Sequence, residues 1–568
     1  MAAEWEIIRD ECQKRRRDAI PTDFLLHENH VKNLPKNRST VVETTGHFTD
    51  TEIEIVNAPA RKIVANIKEG TWTAVGVTRA FCKSAAVAQQ LVSSDLESIM
   101  SPIYASRTNC LTEVFFDDAL RRAQFLDDYQ REHKRLIGPF HGLPISLKDS
   151  FFLAPYPTSI AVAKLAREPT MTTAPLCQVL HDLGAIFYVK TNVPMTMMAC
   201  ETVNNIWGEA VNPWGFTPGG SSGGEGALVS MKGSPLGIGT DLGGSIRIPS
   251  GWCGLYGFKP TAHRMSTRGH QSALAGMDLV PTTCGPLARS LDTLEFWLEA
   301  ITSEPRLWGL DNTVVPMPWH PQDEQYNTRK LRIGVIRETD GVVTVHAPVD
   351  RALGLVVAAL KADGHEVFDW EPTGHKDMGD LFFQNVFHHG DSLHKLLTES
   401  GEPLIPSLAM IVAAHEAGVG GFTSEMQRNL TILRDRLRDE YFDRWAATAT
   451  ESKPEMDAIL SPMSPWVMPP LKALDRALNV TFTNYVNVLD APACILPITF
   501  VDKKVDKKRT SFTPLNEQDT IIQSDYDPEL YDGVPVSVQL MGKRYQEERL
   551  LAVAKKIDQL VKAQKEDS

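Results

Sequence analysis

The chain has 568 residues and 63.0 kDa, with 42% hydrophobic and 23% charged residues and a mean hydropathy of −0.19. These values exclude a collagen-like, low-complexity or wholly disordered chain, and no stretch approaches the ~18 uninterrupted apolar residues of a membrane span. The net charge of −13 and pI near 5.7 argue against nonspecific nucleic-acid binding, which needs a positive face.

The first predicted element is a helix over residues 4–18. Its basic run, Lys14, Arg15, Arg16 and Arg17, reads as a solvated helix end, where cations suit the C-terminal dipole. Residues 114–134 place Ala, Leu and Phe at helical spacing and predict an amphipathic helix ending before Gly138-Pro139. The run His141–Asp149 (HGLPISLKD) then reads as a short buried strand with Lys148 at the end of an apolar stretch. Residues 303–330 are rich in Pro, Trp, Asp and Asn without periodicity, and read either as a boundary between domains or as a surface insertion. Leu331–Ile336, a helix over 348–362 and the strand His365–Trp370 make a β-α-β pattern, which favours an α/β sheet over a helical bundle.

Eight cysteines are scattered at 12, 82, 110, 177, 200, 253, 284 and 494, with no CxxC and no zinc spacing. They read as small buried hydrophobes of a reducing compartment. The start carries no basic segment followed by an apolar one, and the terminal Lys-Glu-Asp-Ser matches no retention address. A cytoplasmic location is expected, with the glycosylation sequons at Asn37, Asn429 and Asn479 unused.

Chemistry concentrates in residues 215–257, which hold 14 of the 38 glycines. Two Gly-rich stretches present serines there: Pro218–Gly226 (PGGSSGGEG) and Gly237–Ser250 (GIGTDLGGSIRIPS). Such turns aim backbone N–H groups at an anion or a developing oxyanion. The stretch contains no GxxxxGK[ST] and therefore no P-loop. Gly219–Gly223 satisfies the letters of a GxSxG nucleophile elbow, but two prolines precede it where the elbow needs a strand. Ser392-Leu393-His394-Lys395 is a Ser-x-x-Lys pair without its companion motifs. A serine served by a lysine remains, and a lysine acts as base only if burial or its neighbours lower its pKa from about 10.4 toward neutrality. Lys148 meets that need, unless it is merely a buried lysine paired to Asp149.

The run Gly220–Ser250, with its GSSGGEGA opening and GTD-x-GGS-x-R-x-P closing block, resembles the amidase signature family. Further matches are Gly142–Asp149, Lys190–Pro194, Asn212-Pro213-Trp214, Cys253–Thr261 and Gly533–Leu540, so the resemblance spans roughly residues 60–560. Within the family the chain looks closest to the fungal acetamidase-like branch. The resemblance implies a single large α/β/α domain with a mixed, twisted β-sheet core. Residues 1–60 would then be a helical extension packed on the catalytic domain 61–560, with 303–330 an insertion and 561–568 a tail.

The resemblance further implies a Ser–Ser–Lys triad: Ser245 as nucleophile, Ser221 as proton relay after a cis Gly220–Ser221 bond, and Lys148 as neutral base. The N–H groups of Leu242, Gly243, Gly244 and Ser245 would form the oxyanion hole. Ser222, Asp241 and Arg247 would support the loop without reacting, and Met197 would line the acyl channel, flanked by Met195 and Met198. Neither metal nor organic cofactor is implied. The implied partner is a small-molecule amide, without nucleic acid or a transmembrane span, and a homodimer is left open. The implied reaction is amide hydrolysis. Its alternatives are a dedicated acyl transfer or cyclisation on the same triad, a lipid-amide hydrolase and, further off, an amidotransferase subunit.

Overall fold

The computed structural model describes residues 2–27, 37–90, 108–388, 390–414, 423–509 and 511–566. Eleven strands pair into one mixed sheet: β1 (Leu111–Val114), β2 (Pro144–Lys148), β3 (Ile186–Thr191), β4 (Leu236–Asp241), β5 (Tyr256–Lys259), β6 (Thr283–Ala288), β7 (Arg332–Val335), β8 (Glu366–Asp369), β9 (Ala458–Pro462), β10 (Ala493–Phe500) and β11 (Pro535–Met541). Their order is β1-β3-β2-β4-β6-β5-β10-β11-β9-β7-β8. β2 runs parallel to β3 and β4, β7 runs parallel to β8 and β9, and the other neighbours are antiparallel. The large α/β architecture with a mixed sheet is thus as the sequence implies.

Every residue of β2, β3 and β4 is buried, the pattern of parallel strands covered on both faces. That is the local reason a lysine in β2 ends up in the interior. The helix Gly223–Ser230 lies against these strands and is buried at every position. Close approach explains much of the glycine density. A Cβ on Gly224 would come within 2.3 Å of the Asn192 backbone nitrogen, and one on Gly237 within 2.1 Å of Glu225 Oε2. These glycines serve helix-on-sheet packing rather than an anion-binding turn.

The predicted elements fall near their expected bounds: helices at Glu4–Asp18, Phe116–His133 and Ala347–Ala362, strands at β2, β7 and β8. The basic run departs from expectation. Arg16 is buried and donates to Leu111 O at 2.6 Å and Asn109 Oδ1 at 3.1 Å, while Arg15 pairs with the buried Glu113 at 2.5 Å. Half of the run therefore faces the protein, because the helix is laid across the start of β1. Leu307, Trp319 and Tyr326, within 303–330, join the main hydrophobic core, which extends from Phe24 to Val561. The last helix, Glu547–Glu566, runs through the position where a tail was expected to begin, because Leu550, Val553, Ile557 and Val561 continue one apolar stripe.

Candidate active site

Lys148 closes β2 and Asp241 closes β4, so the carboxyl ends of two parallel neighbours open at one place. Lys148 is fully buried, and its Nζ donates to Ser221 Oγ and to Thr240 Oγ1, each at 2.7 Å. It makes no ion pair among the described residues; Asp149 instead pairs with Lys190 at 2.8 Å. The bland reading of Lys148 as a lysine held by Asp149 is thereby excluded. Burial lowers the Lys148 pKa to about 7, against the opposing pull of Asp241 and Glu225.

Ser221 follows a cis peptide bond from Gly220 and precedes the buried helix Gly223–Ser230. No strand leads into this turn, so the nucleophile-elbow letters have no elbow geometry. The turn is held from behind by Asn212, whose Nδ2 donates to Thr217 O at 3.2 Å and Trp252 O at 3.1 Å. Ser222 is buried, with its Oγ 3.4 Å from both N and O of Thr240.

The loop after β4 is organised by one carboxylate. Asp241 Oδ1 accepts from Gly244 N at 2.9 Å, Arg247 Nη2 at 3.0 Å and Asn487 Nδ2 at 2.8 Å. Its Oδ2 accepts from Ile246 N at 3.1 Å and Arg247 Nε at 3.0 Å. Burial works against ionisation here, but the Arg247 guanidinium outweighs it and holds Asp241 well below the usual carboxylate range. Arg247 in turn donates to Gln539 Oε1 at 2.8 Å and Thr483 O at 3.0 Å, tying the loop to β11 and to the helix Thr481–Val488.

This arrangement corrects one sequence expectation. The Gly244 N–H points back to Asp241, and Gly244 is buried away from the cleft. Leu242, Gly243 and Ser245 are partly exposed and line the cleft, and their N–H groups have no partner among the described residues. Gly244 therefore shapes the loop, with φ +132°, while three N–H groups are available to an oxygen.

The cleft brings together Ser221, Ser245, Thr240, Leu242 and Gly243. Its apolar wall includes Phe382, Phe383 and Phe387 from the helix His375–His388, with Met197, Met198 and Met277. Met195 lies fully buried in the core instead. Three groups in or behind the cleft, two lining it and one buried, had no role in the sequence reading. Thr240 and Glu225 stood inside the recognised motifs as letters only, although Glu225 is a fully buried carboxyl. His270 lines the cleft as a neutral imidazole, its pKa pushed down to about 3 by burial and by the neighbouring Lys148; nothing in its sequence context sets it apart from the other histidines.

A wide mixed sheet carrying a buried lysine, two serines and unpartnered N–H groups at one cleft is an α/β enzyme equipped for chemistry at a carbonyl group. The family model described as Amidase matches residues 97–551, and the chain belongs to the amidase signature family. It is 34% identical to an acetamidase of Emericella nidulans, over 99% of each chain. An acetamidase of Aspergillus oryzae is likewise 34% identical, again over 99% of each. Among solved structures, a fatty acid amide hydrolase superposes with a TM-score of 0.88 at 32% identity, covering 98% of this chain and 95% of that one. A bacterial aryl acylamidase shares the fold at 19% identity, with a TM-score of 0.65 over 89% of this chain and 96% of that one. Among the described residues, no helix is long and apolar enough to cross a membrane.

Proposed function

We propose that this amide-hydrolysing enzyme works through an acyl-serine intermediate on Ser245 and takes amides with apolar acyl groups. The observation that carries the reading is Lys148, a buried amine 2.7 Å from the Ser221 hydroxyl with a pKa near 7. Neutral Lys148 takes the proton of Ser221 as Ser221 takes that of Ser245, and Ser245 Oγ attacks the carbonyl carbon. The oxyanion is received by the N–H groups of Leu242, Gly243 and Ser245. The proton then passes back through Ser221 to the nitrogen, the C–N bond breaks, and ammonia or an amine leaves. Water, deprotonated over the same relay, cleaves the ester to carboxylate and restores Ser245.

The cleft lining sets the acyl preference. A cleft walled by Phe382, Phe383 and Phe387 with Met197, Met198 and Met277 suits an apolar acyl group larger than the single methyl of acetamide. The test is ammonia or amine release by the purified chain across acetamide, aryl-acetamides and long-chain acyl amides, with Ser245→Ala as control. Turnover that depends on Ser245 and rises with acyl size supports the reading. Turnover surviving in Ser245→Ala removes Ser245 as nucleophile, and turnover falling steadily with acyl size removes the acyl assignment.

A cytoplasmic location is part of the proposal, supported by eight free cysteines, seven of them buried. So is the division of the chain into an N-terminal extension, residues 1–60, on a catalytic unit from 61 onward with 303–330 inserted; Arg15 and Arg16 fasten the first helix to that unit.

A further inference from the structure

Glu225 has no place in the chemistry above, yet it lies beside the base. Its carboxyl is fully buried and, among the described residues, is hydrogen-bonded only by hydroxyls: Ser146 Oγ donates to Oε2 at 2.5 Å, and Thr191 Oγ1 donates to Oε1 at 2.9 Å. Ser146 and Lys148 are two residues apart on β2, so their side chains leave the same face of the sheet, about 6.6 Å apart along the strand. The helix Gly223–Ser230 covers that face, and its preceding turn supplies Ser221 to Lys148 while its first turn supplies Glu225 to Ser146.

The surrounding charges are compensated elsewhere. Asp241 on β4 is matched by Arg247, and Lys190 on β3 by Asp149. Burial keeps Tyr188 on β3 protonated and raises Cys110, ahead of β1, to about 12. β6 contributes only Cys284, raised likewise by burial, and His270 is neutral. Lys148 and Glu225 are thus two fully buried ionisable groups beneath one helix, neither with a partner of opposite charge within ion-pair distance among the described residues. An isolated charge is costly in such a place, so the pair is most stable with no net charge.

We infer that Glu225 is a positioning residue for the base: it and Lys148 hold a single proton between them, and the carboxyl sets the pH at which the amine is free. The two forms are neutral amine with carboxylic acid, and ammonium with carboxylate, and only the first can accept a proton from Ser221. The carboxylate form favours the ammonium, so Glu225 draws the Lys148 titration upward and spreads it over more than one step. In agreement, burial raises Glu225 to about 8, overlapping the range in which Lys148 titrates.

This inference rests on Lys148 as base, and the experiment separates the two. Glu225→Gln keeps an oxygen for one hydroxyl but cannot ionise. In the full-length enzyme, the acidic limb of kcat/KM is expected to move down by about half a pH unit or more and to sharpen to one ionisation, with KM little changed. A purely structural Glu225 leaves midpoint and slope where they were, and that result overturns the inference. Thr191→Val serves if Glu225→Gln does not fold. It removes a donor that favours the carboxylate, so it moves the limb in the same direction, and an unmoved limb again refutes the shared proton. Lys148→Ala is measured alongside: turnover retained there defeats the base assignment itself, whereas an unmoved limb with Lys148→Ala inactive defeats only the role of Glu225.

Discussion

Replacing Asp241 with asparagine tests whether one carboxylate holds the oxyanion loop in place. The change is isosteric, but neither orientation of the amide is tolerated. With its NH2 on the Oδ1 side it meets Gly244 N, Arg247 Nη2 and Asn487 Nδ2, all donors. Turned over, it meets Ile246 N and Arg247 Nε, donors again. Arg247, fully buried, also loses its counter-charge. Breaking a buried pair by removing one partner costs about 3–5 kcal/mol, a large part of the ~5–15 kcal/mol that holds a typical fold. In the site, each oxyanion donor moved out of reach costs about 2.7–4 kcal/mol of transition-state stabilisation, or roughly 10²–10³ in kcat. The expected result for Asp241→Asn is a lowered urea midpoint and, under conditions where the protein stays folded, a kcat at least 100-fold down with a smaller change in KM. The assay is amine release from an aryl-acetamide, paired with the rate of Ser245 labelling by a fluorophosphonate, which should slow in parallel. A folded Asp241→Asn enzyme with kcat within tenfold of the parent would refute the idea that this carboxylate aims the loop.

Fluorophosphonate followed by peptide mapping should find the label on Ser245 and not on Ser221; Ser221→Ala should slow labelling, and a label on Ser221 alone reverses the assignment. Phe382 lies against the oxyanion loop, its ring 2.6 Å from where a Cβ of Gly243 would be. Phe382→Ala should therefore raise KM for aryl-acyl amides by tenfold or more while leaving acetamide turnover nearly unchanged, as measured by steady-state kinetics on both. Gly237→Ala would push a methyl to 2.1 Å from Glu225 Oε2, and should destabilise the fold by about 1–3 kcal/mol through overpacking, read from a urea titration.

The parts of the site written as local chemistry were readable before the fold was known. Lys148 announces itself as a lysine closing an apolar strand, and Ser221, Asp241, Ser245 and Arg247 lie in one glycine-rich stretch of 27 residues, although their separate roles come from the family resemblance and much of the glycine serves close packing. The β-α-β segment 331–370 was equally legible, because its periods change from two to 3.6 and back at glycine. What stayed hidden depends on which group a side chain meets. No spacing distinguishes a Gly244 N–H turned toward Asp241 from a Gly243 N–H left free. Arg16 looks like its neighbours in a basic run, and only the docking of the first helix on β1 buries it. The acyl wall is the clearest case: Phe382, Phe383 and Phe387 stand more than 130 residues downstream of Ser245, on a helix whose pattern reads as ordinary core packing.

A lysine inside a protein is ordinarily either paired or expelled, and the sheet supplies the reason that Lys148 is neither. Continuous burial of β2, β3 and β4 removes water from its amine, which favours the neutral form. That alone would not give a base, because any carboxylate in contact would restore the ammonium. Two of the three carboxyls nearby are held by other cations, Asp149 by Lys190 and Asp241 by Arg247, at 2.8 Å and 3.0 Å, and burial favours the protonated form of the third, Glu225. The amine is left with two hydroxyls, which are good partners for an uncharged nitrogen and weak ones for a charged one. Lys190 and Arg247 thus contribute to basicity without touching Lys148, by withdrawing the charges that would otherwise quench it. Removing either cation should then raise the pKa of Lys148 and move the acidic limb to higher pH, the opposite direction from Glu225→Gln. Lys190→Met is the sharper case, since Arg247 also shapes the oxyanion loop; an acidic limb that stays put or falls in Lys190→Met would show that the Asp149 charge does not reach the base.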